Sequence, residues 1–130
     1  METKFCACGK QIEYKKCCGA IHQKVVLAET AEDLMRSRYV AFTLANGDYL
    51  MKSHHSSTRP LAEKKSIEKW AKSVEWLRLE ILNTTAGLNN DDEGTVEFKA
   101  YFKTKGKVQF IHENSIFVRE NNLWVYLGMK

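Results

Sequence analysis

After Cys18 the chain has no cysteine, and all 130 residues hold a single proline, Pro60. Nowhere do eighteen apolar residues run together, which excludes a transmembrane helix. No leader with an apolar core precedes Cys6, so an oxidising compartment is not indicated and the cytoplasm is the expected location. Low-complexity tracts and internal repeats are absent. So are a glycine-rich phosphate loop, a G-x-G-x-x-G turn and an evident nucleophile–base pair. The H-E-x-x-H helix of a metalloprotease is missing too, since Ile116 stands where its second histidine would be. No basic stripe is interleaved with aromatics, and no nucleic-acid motif is recognisable. The net charge of +4 is mildly basic and leaves room for either nucleic acid or an acidic protein surface. Apolar content of 44% and charged content of 28% are those of an ordinary globular chain, one domain with a small appendage by length.

What is present is concentrated at the start. Cys6, Cys8, Cys17 and Cys18 form a C-x-C-x8-C-C array in a lysine-rich segment. Four thiolates are what a closed tetrahedral metal site needs, with sulfur about 2.3 Å from zinc. The eight residues between the pairs can fold back as a turn. Gly9 and Gly19 each follow a cysteine, where free backbone dihedrals let the chain wrap an ion. Lys10, Lys15 and Lys16 offset the net negative charge of four thiolates around a divalent cation. The alternatives are two disulfides or four free thiols. Zinc is the expected ion and iron the other choice, because soft thiolate sites accept several metals. With every ligand from protein there is no open position, so the ion's role is structural.

Beyond the array, residues 21–29 read as a connector. Thr30 and Asp33 suggest a capping box before Ala31, Leu34, Met35, Tyr39 and Phe42, whose spacing predicts a helix over 31–45. Asn46-Gly47 would stop it, and Asp48 would cap a short second helix ending near His54. Pro60 suits the first turn of a third helix with Leu61, Ile67, Trp70 and Ala71 on its apolar edge. From Val74 the period becomes two. Strands are expected at 74–82, 96–103, 107–120 and 123–127, joined by turns at 87–94, Lys105-Gly106 and Asn121-Asn122. Helices followed by an antiparallel meander make an α+β fold, with helices on one face of a curved sheet and the first helix inside its concave side.

The cysteine array resembles the SEC-C motif, the zinc knuckle of the preprotein translocase ATPase SecA and of small accessory proteins. All four cysteine positions match, although the usual C-x-C-G-S-G-K opening lacks its serine and second glycine here. The whole chain resembles the uncharacterised bacterial YchJ family through residues 34–42, 47–60, 76–82, 96–102, 112–117 and 123–128. That resemblance implies a SEC-C knuckle over 1–22 and a nuclear-transport-factor-2-like cone over 23–130. The family's usual threonine-tryptophan-histidine run falls at Ser53-His54-His55, where Ser53 and His54 depart from it. The resemblance supplies fold and metal, not a reaction.

Five polar residues are candidates for a cavity or ligand site: Arg38, Asp48, His55, His112 and Glu113. Arg38 falls on the apolar side of the first helix, so its guanidinium needs a partner, with Asp48, Glu97 or Glu113 to hand. A fold-specifying ion pair is the plainer account and a ligand anchor the sharper one. His112 and Glu113 point to opposite faces of one strand, so only one can enter a cavity. If His112 shares the face of Phe110 and Ile116, a core histidine is the plainer role. His54-His55 could reach a cavity mouth, against the plainer reading of a solvated helix end. Trp70, Trp76 and Trp124 read as core and rim aromatics. Three functions follow. The first is a non-enzymatic module presenting the knuckle to a protein or ribosomal partner, as the SEC-C resemblance suggests. The second is a small-molecule binder or enzyme using the cone cavity, and the third is RNA binding through Lys10, Lys15, Lys16 and the basic residues of 59–72. The partner and any homodimer through the sheet stay open at this level.

Overall fold

The structure, a computed structural model, describes residues 5–23 and 27–130. The expected connector therefore falls partly outside the described residues, at 24–26. A 3-10 turn, Tyr14–Lys16, leads into helix α1, Cys18–His22. Thr30 caps helix α2 (Ala31–Thr43) by accepting from the Asp33 N–H at 3.0 Å. The other half of a capping box does not form, because the Asp33 carboxylate turns to Lys10 Nζ at 2.6 Å.

Helix α2 ends before Asn46-Gly47. Leu44 is its C-cap and Ala45 takes a left-handed φ of 52°. Asn46 instead starts helix α3 (Gly47–Lys52), its Oδ1 accepting from the Tyr49 N–H at 3.1 Å, while Asp48 lies within the first turn. Pro60 opens a 3-10 turn, Leu61–Glu63, and helix α4 (Lys64–Ser73) follows it.

Strands β1 (Glu75–Ala86), β2 (Glu93–Thr104), β3 (Lys107–Glu120) and β4 (Leu123–Met129) form one antiparallel sheet in sequence order. Lys105-Gly106 and Asn121-Asn122 take positive φ at both positions, the two-residue turn that matches strand twist. In β2 the alternation is clean: Val96, Phe98, Ala100 and Phe102 are buried, and the residues between them face outward. Leu34, Met35, Tyr39 and Val40 of α2 pack on that buried face. Bulges in β1 between Trp76 and Arg78 and between Ile81 and Asn83 bend the sheet around the helix and leave Leu77 and Leu82 exposed. The result is the α+β cone, three helices on a curved sheet.

Two contacts close the cone. A Cβ on Gly94 would lie 2.4 Å from Gly87 Cα, and the Ala31 N–H donates to Gly87 O at 2.9 Å. The β1–β2 connection thus presses on the start of α2. At the far edge, Tyr126 N–H donates to Ser53 O and His55 N–H to Tyr126 O, each at 2.8 Å. This short parallel pairing covers the outer edge of β4.

Candidate functional site

The four cysteines come together. Their sulfurs all lie within 4.8 Å of one another, with Cys8 and Cys17 at 3.6 Å and Cys17 and Cys18 at 4.0 Å. A tetrahedral ion with bonds of about 2.3 Å spaces its sulfurs about 3.8 Å apart, so the cluster fits a metal. No two of these cysteines are joined as a disulfide. In the protonated cluster, hydrogen bonding from Cys18 pulls the Cys8 thiol down to about 5. Burial pushes Cys17 up to about 11, and pairing with Cys8 pushes Cys18 up as well. A lowered Cys8 beside raised Cys17 and Cys18 marks sulfurs too crowded to ionise together unaided, and a divalent cation that displaces their protons would relieve the crowding.

The knuckle is built into the domain. Cys6, Cys8 and Cys18 belong to the same buried cluster as Leu34, Val40 and Phe98. Arg36 of α2 donates from Nη1 to Cys8 O at 2.5 Å and from Nε to Glu32 at 2.9 Å. His22 bonds Ser37 O at 2.7 Å through Nε2. A carbonyl only accepts, so Nε2 carries the proton, and Nδ1 accepts from the Tyr14 hydroxyl at 2.8 Å. Burial lowers the His22 pKa, in keeping with a neutral ring.

A second feature is a cavity of about 220 Å³ between the helices and the concave face of the sheet. Arg38 and Glu113 both line it. None of the carboxylates expected for Arg38 forms an ion pair with it. Nη1 donates instead to Leu50 O at 2.9 Å, near the C-terminal end of α3, and to Ser53 Oγ at 2.6 Å. The guanidinium stands over the Tyr126 ring at 4.8 Å. Burial pulls its pKa down to about 10, which still leaves it charged at neutral pH. Glu113 accepts from Ser115 Oγ at 2.9 Å.

The other three candidates lie elsewhere. Asp48 is exposed and pairs with Lys64. His112 does share the strand face of Phe110, but that face points to solvent, where His112 bonds Glu97 at 2.8 Å. A core role is therefore not what this histidine has. The two-residue Lys105-Gly106 turn carries the missed signal: counting back from it sets Phe98 opposite Glu113 and turns His112 outward. His55 accepts at Nδ1 from Ser57 Oγ at 2.8 Å, and its Nε2 lies 3.6 Å from Glu120. A hydroxyl, an imidazole and a carboxylate are thus aligned where no nucleophile–base pair was evident. The trio sits outside the cavity, with Ser57 exposed, and pins the 55–60 loop to β3.

His54, the neighbour, does line the cavity, edge-on to Tyr126 at 5.0 Å. Burial, with Arg38 nearby, pushes it down to about 4, so the ring is neutral. Trp76 stacks at right angles with Tyr39 and Trp70 at the cavity's aromatic side.

Residues 30–128 match the middle NTF2-like domain of YchJ. This chain belongs to the YchJ family. It is 39% identical over 124 residues to a UPF0225 protein of Vibrio parahaemolyticus, covering 94% of this chain and 72% of the relative. A UPF0225 protein of Chromobacterium violaceum is 42% identical over 124 residues, 95% and 90% of the two chains. The solution structure of RPA3114, a SEC-C motif containing protein from Rhodopseudomonas palustris, superposes with a TM-score of 0.85 at 31% identity over 96% of both chains. A crystal structure of a SEC-C motif containing protein from Psychrobacter arcticus gives 0.81 at 35% identity, covering 94% of this chain and 79% of that one. No helix among the described residues is long and apolar enough to cross a membrane.

Proposed function

We propose that the chain is a non-enzymatic interaction module in which structural zinc holds a docking surface in shape for a protein or ribosomal partner. The observation that carries this is the outer side of the cysteine hairpin. Phe5 and Ile12 are 58% and 42% exposed on the two paired arms of the hairpin, where Phe5 is bridged to Glu13 and Cys6 N–H donates to Ile12 O at 2.7 Å. Lys15 and Lys16 follow, both exposed. Exposed apolar side chains on the hairpin, followed by two exposed lysines, fit a partner that offers both apolar and acidic contacts. Zinc is chosen because four thiolates and no open position suit a closed tetrahedral ion, and iron would serve the same structural purpose. Thiolates persist in a reducing compartment, which supports a cytoplasmic location.

The test compares partners captured from cell extract by the intact protein and by two double variants, Phe5→Ser/Ile12→Ser and Lys15→Glu/Lys16→Glu, with metal content assayed on all three. Expected is full metal in each and loss of specific partners from both variants. Unchanged capture by both variants sinks the reading. RNA as the partner would show instead as capture that falls steeply with salt and disappears on ribonuclease treatment.

A further inference from the structure

Two oppositely charged side chains line the cone cavity without meeting. Arg38 is 7% exposed and uses Nη1 alone, leaving Nε and Nη2 without a partner among the described residues. Glu113 enters from β3; among the described residues its Oε2 accepts from Ser115 Oγ, and the Tyr126 hydroxyl lies near the same carboxylate. No ion pair joins the two, although each lines the same 220 Å³ space. Apart from Ser115 and His54 the remaining walls are apolar or aromatic, among them Met35, Phe42, Ile67 and Trp76. Neither residue has a fully enclosed polar atom left unbonded, so the spare donors and acceptor open onto the cavity, where water bonds them until a ligand replaces it.

Charge selects what that is. An anion would gain Arg38 and be repelled by Glu113, and a cation the reverse. His54 is neutral and tips the balance neither way. A group with an acceptor beside a donor satisfies both residues at once. The volume limits the rest of the molecule, since pockets for drug-sized ligands run to about 300–1,000 Å³ and this one is smaller. We propose that the cavity is a binding site for a small uncharged carboxamide or lactam of single-ring size. Its carbonyl accepts from Arg38, its N–H donates to Glu113, and its ring lies against Trp76 and Phe42.

Four probes of one size separate the options: benzamide, benzoate, benzylammonium and toluene. Each is titrated into the zinc-loaded 130-residue chain while the Arg38 Nε–H and Trp76 indole resonances are followed by NMR. Benzamide is expected to shift both saturably and to bind at least tenfold more tightly than the other three. His54→Trp fills the cavity and abolishes the shifts. Glu113→Gln removes the repulsion and raises benzoate affinity at least tenfold, a gain that a purely structural glutamate would not give. Equal binding of toluene would mean an apolar hole and overturn the assignment. So would benzoate or benzylammonium matching benzamide on the unaltered protein, or no saturable shift with benzamide.

Discussion

Replacing Arg36 by methionine tests whether the knuckle and the cone share one stability. The guanidinium donates from Nη1 to Cys8 O at 2.5 Å, across 28 residues of sequence, and from Nε to Glu32 at 2.9 Å. Gly9 passes beneath it with φ of 101°, so close that a Cβ would sit 3.3 Å from Nη1. A hydrogen bond from a charged donor contributes about 1.5–3 kcal/mol. The helix pair with Glu32 adds about 0.3–0.5 kcal/mol, and methionine keeps most of the apolar stem. The loss is therefore about 2–3 kcal/mol. If the sulfur cluster holds its ion only while docked on α2, that loss appears in full as metal affinity, roughly a 30- to 150-fold weakening at tenfold per 1.4 kcal/mol. A competition titration against a chromophoric zinc chelator measures it directly. Affinity unchanged within the error of that titration, alongside a lowered melting temperature, would show that the knuckle closes on its ion independently and would refute the coupling.

Stripping the metal with a chelator should lower the melting temperature of the whole protein in one cooperative transition, because Cys6, Cys8 and Cys18 are part of the main core; differential scanning calorimetry would show it, and two separate transitions would contradict it. Acidification should release the ion, since protons compete for the thiolates, and a metal-sensitive dye should register more free ion at pH 5 than at pH 8. Gly94→Ala should destabilise by about 1–3 kcal/mol in urea, because the new Cβ would meet the Gly87 backbone at 2.4 Å, where no flexible side chain can yield. His54 binds its proton less readily folded, near pH 4, than unfolded, so stability is full above the unfolded value and declines as pH falls from about 6.5 towards 4. His54→Gln should flatten that part of the melting-temperature profile.

Much of this was legible in the residues, and the parts that were not have identifiable causes. The β3 limits follow from alternation bounded by two positive-φ turns. Strand β1 runs on to Ala86, past the last apolar residue, because Asn83, Thr84 and Thr85 gain ladder partners in Glu97, Val96 and Thr95. Periodicity sees side chains, whereas the ladder is made by backbone. In the same way, alternation in β3 says that Glu113 and His112 oppose each other but not which faces the helix; pairing with β2 decides it. The cysteine cluster was legible because its ligands lie within a few residues of one another. Arg38 was legible as buried but not in its bonds, since a carbonyl and a serine hydroxyl on the following helix leave no charge pattern in sequence.

The short pairing of β4 with Ser53 and His55 has a consequence for how the molecule is made. Hairpins β1–β2 and β2–β3 close through neighbouring residues and can form early, whereas Trp124 Nε1–H reaches Glu29 O across 95 residues. Tyr126 supplies both the ring beneath Arg38 and the edge that holds Ser53. A nascent chain lacking 123–129 would therefore have its cysteines, all its helices and three strands, but an Arg38 without its ring and an open wall at 53–55. The last strand acts as a latch, and synthesis must pass it before the first half of the chain is locked in place.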